Sequence, residues 1–551
     1  MMGSFQFPFI FFAFLASVKG VDFSFSHGVG GPGWIGGGGE DVSPARDQLV
    51  SWSANTSVYG GPATATTLNG APIPSLSASQ AIGTRGHILL QDYFLIDKLA
   101  GFNRERIPER TVHAKGAGAH GHFVVTNDVS HITKAKVFNG IGKITPTFTR
   151  FSTVGGELGS SDTVVDPHGF ATKFYTEEGN YDLVGNDIEV FNIRDPMLFP
   201  DMARSRKRNP KTHLKSQDMW WDFASLRPET TFQALIMFSD IGRAHGYRRM
   251  NGSSVHAMKM VNARGEVVFA KLHWRTQQPA PAMTFQEAKD LLGTQPEYFT
   301  QDLYDNIEKG NFPSWKLYFQ VMTVEQANAY PRNPFDPTRN WRVEDYPLIE
   351  VGRLTMDRNP VNFFAEVEQV GFSVANLVPG IEPSPDRILH GRMFGYADAI
   401  IYRLGANWPQ LPINRPREGL QINSYQRDGA ACYGDNGGGA PNYWPNSFGG
   451  HQASTGAAQV GFNVDGVVDR FDIPEDEFIE ARWFLERDMD AGERQRTVES
   501  IADRLKDARE EIRERALRNN FYPIDHEFGE EIRKEVERAL RRVENERNRG
   551  K

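Results

Sequence analysis

The spacing of apolar positions changes several times along the chain, and each change marks an expected element. A helical pattern begins near Leu89, and 89–99 reads as a short helix. From about 113 to 275, short runs of β-favouring residues recur at 122–125, 145–152, 169–176, 187–193 and 266–274, with turn residues between them. Helical stretches such as 228–236 interrupt them. Many short strands separated by turns predict a β-barrel or sandwich with helical insertions. Residues 359–475 are rich in Pro, Gly and Asn, and one clear element stands out, a helix over 386–404. So long a stretch with so little regular structure is uncommon unless it wraps something. From about 476, Glu, Arg and Ala dominate, with Ile501, Leu505, Ala508, Ile512 and Ala516 at helical spacing. Pro523 and Gly529 break the run before a last helix to Val543, which together predict a small helical C-terminal domain.

Ahead of these elements, 21–85 is built of Gly, Ser, Pro, Ala and Thr, and reads as an extended arm. Its glycine run, 28–39, lacks the Lys-Ser/Thr ending and the preceding strand of a phosphate loop. An apolar run at 7–18 is shorter than the roughly 20 residues a bilayer span needs. It has the length of a secretory h-region, with small residues at 16–20, but no basic residue precedes Lys19. The chain therefore divides into a possible signal peptide (1–20), an arm (21–112), a β-barrel (113–358), a wrapping segment with its helix (359–475) and a helical domain (476–551). The ending Asn-Arg-Gly-Lys is not a peroxisomal tripeptide, so secretion and a cytoplasmic or peroxisomal location both stay open.

Composition narrows the function classes. A net charge of −8 offers no global field for nucleic acid, and neither a nucleic-acid nor a membrane partner is expected. The basic stretch 205–215 reads as a solvated surface segment. A single cysteine, Cys432, excludes an intramolecular disulfide framework and cysteine-rich zinc or iron–sulfur sites.

Three segments carry chemistry. On the helix 386–404, Met393, Phe394, Ala397, Ile400, Ile401 and Leu404 form one expected apolar stripe. Arg392, Tyr396, Ala399 and Arg403 align on another face. A tyrosine between arginines is either a half-buried residue with surface neighbours or a phenolate, and a phenolate can ligate ferric haem. Upstream lie His113, His120 and His122. Their spacing matches no common zinc pattern, and a lone histidine acting as general acid and base is the better reading. Third, Asn186 sits in a β-like run, either as a satisfied turn residue or as an amide that holds a small polar substrate.

Taken in order, the chain resembles the haem catalase family, in particular its small-subunit type. The motifs that carry the resemblance are Arg104-Glu105-Arg106-Ile107-Pro108-Glu109-Arg110, His113-Ala114-Lys115-Gly116, Arg150-Phe151-Ser152-Thr153-Val154, Phe199-Pro200-Asp201, Arg358-Asn359-Pro360-Val361-Asn362, Pro379-Gly380-Ile381-Glu382-Pro383-Ser384-Pro385-Asp386 and Arg392-Met393-Phe394-Gly395-Tyr396-Ala397-Asp398. The resemblance implies an α+β fold: an antiparallel eight-stranded β-barrel with N-terminal arm, wrapping loop and C-terminal helices. It implies conversion of hydrogen peroxide to water and dioxygen through tyrosinate-ligated haem, usually in a homotetramer. His113 would be the distal acid and base, with Asn186 as its partner. Tyr396 would be the axial iron ligand, supported by Arg392. Arg110, Arg150 and Arg403 would meet haem propionates or the proximal charges. Val112, Ser152, Phe191 and Phe199 would line or support the haem pocket, and Val154 and Asp166 the peroxide channel. A relative acting on fatty-acid hydroperoxides and an inactive haem-binding protein are the competing readings.

This sequence also departs from the family. Ala399, Ile400, Ile401 and Tyr402 stand where Thr, His or Gln, Arg and His are usual, which changes the proximal surroundings but leaves the ligand. Ser239, Asn251, His273 and Trp341 match the family's NADPH pocket, but Phe232, Ile236, Ile241 and Val343 replace His, Phe, Arg and His. The lost arginine is the natural partner of a 2′-phosphate. Haem b is the expected cofactor and NADPH is not expected.

Overall fold

The computed structural model describes residues 43–549 except 59, 418, 421 and 472–475. The expected signal segment and the arm up to residue 42, with its glycine run, lie outside the described residues. Ten antiparallel strands form one sheet. They are β1 (Gly116–Val125), β2 (Ile144–Ser152), β3 (Gly169–Thr176), β4 (Gly179–Asn186), β5 (Gly252–Ser253), β6 (Met258–Val261), β7 (Val267–Thr276), β8 (Ser314–Thr323), β9 (Leu348–Arg358) and β10 (Ile381–Pro383). Neighbours run β7-β5-β4-β3-β2-β1-β9-β8, and β8 pairs back onto β7, which closes an eight-stranded barrel. β6 and β10 extend the sheet beyond β7.

Aromatic side chains fill the barrel. Phe123, Phe151, Phe170, Phe174, Trp274 and Trp315 are fully buried and touch one another, with Phe170 stacked on Trp274 at 5.7 Å between centroids. Because side chains alternate along a strand, the intervening residues face outward. Lys173 and Asp182, opposed across β3 and β4, form an ion pair at 2.8 Å with neither side chain exposed. The wrapping segment buries them: Asp182 accepts from the Ser373 amide (2.9 Å) and from Asn376 (2.7 Å). Arg150 of β2 and the catalytic candidates lie on this outer, covered face.

The C-terminal helices Ala491–Leu505 and Glu510–Ala516 pack on the inserted helices Gln217–Leu226 and Thr231–Phe238, and the last helix, His526–Arg549, packs on Ala491–Leu505. Their shared core joins Trp221, Phe232 and Phe238 to Ile501, Leu505 and Phe521. Ile501, Leu505, Ala508, Ile512 and Ala516, expected on one helical face, are all buried there.

Three expectations need correction. The run 187–193 is not a strand: its chain is irregular, and Ile188 and Val190 are buried in one cluster with the helices and Ile193 in another. The strand is the segment just before it, β4. The first helix is Tyr93–Asn103, because Asp92 caps it through the Leu95 amide at 3.2 Å. Finally, the expected apolar stripe of Arg387–Leu404 is only in part its buried face. Phe394 is 78% exposed and Ile401 50% exposed, whereas Ile388, Leu389, Ile400 and Arg403 are buried and Arg392 and Tyr396 half-buried. The inner face mixes these apolar residues with Arg403, whose guanidinium finds buried acceptors in the Pro108 and Glu368 carbonyls.

Candidate active site

Register builds the distal side. The pairs Gly116↔Ser152, Ser152↔Gly169, Gly169↔Asn186 and Asn186↔Ser253 form one row across β1 to β5. The row places Ser152 and Asn186 two strands apart, roughly 10 Å along the sheet. His113, just before β1, enters this row from one end. Its Nδ1 lies 2.9 Å from Ser152 Oγ, which leaves Nε2 as the nitrogen free to work. Its φ is +65°, a conformation that costs a non-glycine residue on the order of 1 kcal/mol. The Arg150 guanidinium offsets this by donating to the carbonyls of His113 (2.8 Å) and Ala114 (2.9 Å), while the His113 amide donates to Val154 O at 3.1 Å. Gly169 completes the cradle: a Cβ there would lie 2.4 Å from Ser152 Oγ and 2.7 Å from His113 Nδ1.

Burial and the guanidiniums of Arg150, Arg392 and Arg110 push the His113 pKa down to about 3. The imidazole is therefore neutral near pH 7 and one ring nitrogen can accept a proton. Asn186 is buried at the end of β4, and among the described residues its side-chain amide makes no hydrogen bond.

The proximal side is one helix face. Asp386 caps Arg387–Leu404 by accepting from the Ile388 and Leu389 amides. One turn apart, Arg392 Nη2 donates to the Tyr396 hydroxyl at 2.9 Å, with the guanidinium 5.0 Å from the ring centroid. A guanidinium only donates, so the phenol oxygen is held as an acceptor, the role an iron ligand requires. Behind Arg392, His256 Nδ1 pairs with Asp386 at 2.5 Å, and its Nε2 is buried without a partner.

Two guanidiniums, Arg110 and Arg403, meet one carboxylate, Glu368, and Arg150 lies close enough to feel its charge. Arg110 donates to the carbonyls of Val367, Glu368 and Val370 and lies 3.5 Å from Glu368 Oε1. Arg403 Nη2 lies 3.1 Å from the same Oε1. Burial lowers the pKa of Arg110, Arg150 and Arg403. Arg150 Nε and Glu368 Oε2 are buried without partners. Three cations against one anion, with an orphaned donor, suit a ligand that carries carboxylates of its own, as haem does.

Phe191 and Phe199 meet in a small cluster with Ile193, Met202 and Ile388, next to the start of the proximal helix. Val154 and Gly155 both donate their amides to Asp166 Oδ2, at 2.7 and 2.6 Å. Val112, adjacent to His113, is half-buried. His120 and His122 do not join His113; they pair separately with Glu366 and Asp357.

The sequence reading missed Gly169, His256 and Glu368. His256 stands alone in the sequence and finds Asp386 only through the fold. The signal for Gly169 was a glycine opening an otherwise β-branched and aromatic strand.

A barrel whose covered face carries a buried neutral imidazole, a phenol oxygen held by an arginine, and a group of buried guanidiniums suits a haem enzyme. Comparison with known proteins gives the particular family. The family model described as Catalase matches residues 66–450, and that described as Catalase-related immune-responsive matches 472–536. The chain is 48% identical over 499 residues to a catalase of Drosophila melanogaster, covering 90% of this chain and 98% of that protein. It is 50% identical over 505 residues to a catalase of Ascaris suum, covering 92% of each. Among solved structures, a fungal catalase superposes with a TM-score of 0.83 at 40% identity, covering 86% of this chain and 96% of that one. Catalase A from Saccharomyces cerevisiae gives 0.82 at 40% identity, covering 86% and 99%. The chain belongs to the catalase family, whose cofactor is haem.

Proposed function

We infer that the protein disproportionates hydrogen peroxide to water and dioxygen, with His113 and Asn186 as the catalytic pair and Tyr396 as the residue that would hold the haem iron. The observation that carries this reading is the neutral His113 imidazole, pinned through Nδ1 by Ser152 with Nε2 left to act. Tyr396 would hold the haem iron, and Arg110, Arg150 and Arg403 its propionates, supported by their uncompensated charge. When bound, haem supplies the metal that takes up and returns the electrons exchanged between two peroxide molecules. His113 Nε2 accepts a proton from one peroxide oxygen and delivers it to the other, so that the second leaves as water. The Asn186 amide orients the polar substrate while the proton moves. Arg392 keeps the Tyr396 oxygen an acceptor throughout. Val154, held by Asp166 and hydrogen-bonded to His113, borders the peroxide route.

We propose haem b, with no tight binding of NADPH. Supporting this, Phe232 and Ile236 are packed into the helical core, and the nearby Arg275 is paired with Glu189 at 2.7 Å. We further propose a homotetramer, supported by exposed Leu49, Trp52, Leu68 and Leu90 along the arm and by Phe394 on the proximal helix.

The test is dioxygen release from hydrogen peroxide by the haem-loaded protein, beside His113→Ala. Loss of general acid/base help typically costs ~10²–10⁴ in rate, and a fall of that size in the variant is expected. A variant as fast as the parent would remove His113 from the mechanism.

A further inference from the structure

A cleft opens on the side of the Val154 loop away from His113, and its lining is strongly basic. Arg206, Lys207, Lys215 and Arg504 face it, with Asp166 as its one acidic residue and Trp220 along its wall. Asp166 is already engaged: Oδ2 accepts two backbone amides, and Oδ1 lies 3.6 Å from the Arg206 guanidinium. Lys207 Nζ donates only to the Gly155 carbonyl, at 3.3 Å. Among the described residues, Lys215 and Arg504 form no ion pair. Glu157, which feels the charge of Lys215, is held by Arg208 at 3.0 Å. The chain as a whole carries −8, so this is a local reversal of sign.

The geometry of the lining points the same way. Arg206 reaches Asp166 with Nη1 (3.6 Å) and Gln233 Oε1 with Nη2 (3.4 Å), so its guanidinium is fixed along the cleft wall. The helix Gln217–Leu226 also begins in the cleft: its N-cap, Ser216, makes no side-chain cap, and both Ser216 and Gln217 line the space. Uncapped N–H groups and the positive end of the helix dipole favour an anion there. Hydrogen peroxide is uncharged near neutral pH, so its capture does not account for this concentration of cations.

We propose that the cleft binds a small oxyanion of the phosphate class, and that its occupation obstructs the outer end of the route to His113. Four cations and a helix N-terminus can satisfy several oxygens of a multiply charged tetrahedral group at once, which a single carboxylate cannot match. One residue joins the two sites: Val154 donates to Asp166 on the cleft side, and its carbonyl accepts the His113 amide. The obstruction rests on the peroxide route assigned above, whereas the anion site itself does not.

The experiment titrates inorganic pyrophosphate into the haem-loaded protein by calorimetry at fixed ionic strength, with dioxygen release followed in parallel. Saturable binding is expected, with release falling as the site fills. In Arg504→Gln/Lys215→Gln, affinity should drop at least about tenfold, or ~1.4 kcal/mol, with turnover in the absence of pyrophosphate unchanged. Lys215→Gln alone, with a parental melting temperature, serves if the double variant does not fold, and its affinity should also drop. No saturable binding, or equal binding by a folded variant, overturns the anion site. Binding that leaves dioxygen release untouched overturns the obstruction. Binding by a protein that releases no dioxygen would sustain the site while sinking the reaction assigned above.

Discussion

At position 169 there is no room for even one methyl group beside the distal imidazole. In Gly169→Ala the new Cβ must displace Ser152 Oγ, His113 Nδ1 or the strand that carries it. Overpacking of this kind costs about 1–3 kcal/mol, and the shift falls on the proton-transferring group. We expect turnover to fall at least about tenfold, because small misplacements of a reacting group are costly, with haem content retained; absorbance and dioxygen assays on the same sample check both. The His113 pKa gives a second expectation. Below about 6.5 the unfolded chain binds a proton that folded His113 refuses until about pH 3. Its contribution to stability is therefore intact above that window and is lost as pH falls through it. Catalysis should accordingly have no His113-linked limb between pH 5 and 8. A limb there that disappears in His113→Ala would contradict the neutral imidazole. The segments of His113, Asn186 and Tyr396 stand out in the sequence, but the roles expected of these residues came only through the resemblance to the haem catalase family. His256 and Glu368 do not stand out, since their partners, Asp386 and the arginines Arg110 and Arg403, are distant in sequence or carry no local pattern.

Among the elements, the seam between barrel and wrapping segment is held by charge. Asp182→Asn leaves Lys173 buried without its counter-ion, and breaking a buried pair typically costs about 3–5 kcal/mol. The melting temperature should drop sharply, and an unchanged one would show that Lys173 finds another partner. The same seam explains which elements could be read in advance. β2 and β3 were legible because β-branched and aromatic residues fill them. β1 was found only from residue 122, because its first half is Gly-Ala-Gly-Ala-His-Gly, which has no hydrophobic alternation. β8 and β9 lie beyond the expected run of strands, although the burial of Ser314–Thr323 largely alternates. The helix Arg387–Leu404 was placed within one residue of its observed start, but only part of its apolar stripe, Ile400 and Met393, turns inward. Amphipathicity ranks faces by oil-like character, and here the inner face bears arginines as well.

Across the whole molecule, the pocket's charge imbalance spans three regions of the chain. Arg110 precedes the barrel, Arg150 belongs to β2, and Glu368 and Arg403 come from the wrapping segment and its helix. Without a dianionic occupant, closing these regions on one another brings three cations around a single anion. Haem should therefore act as the clasp of the fold as well as its reactive centre. Protein made under haem starvation is expected to be nicked by a protease first within 359–475, with the barrel fragment surviving, whereas loaded protein resists cutting there. Equal resistance of both forms would show that the polypeptide closes unaided. On this view the supply of tetrapyrrole, more than the rate of translation, sets how much finished enzyme a cell accumulates.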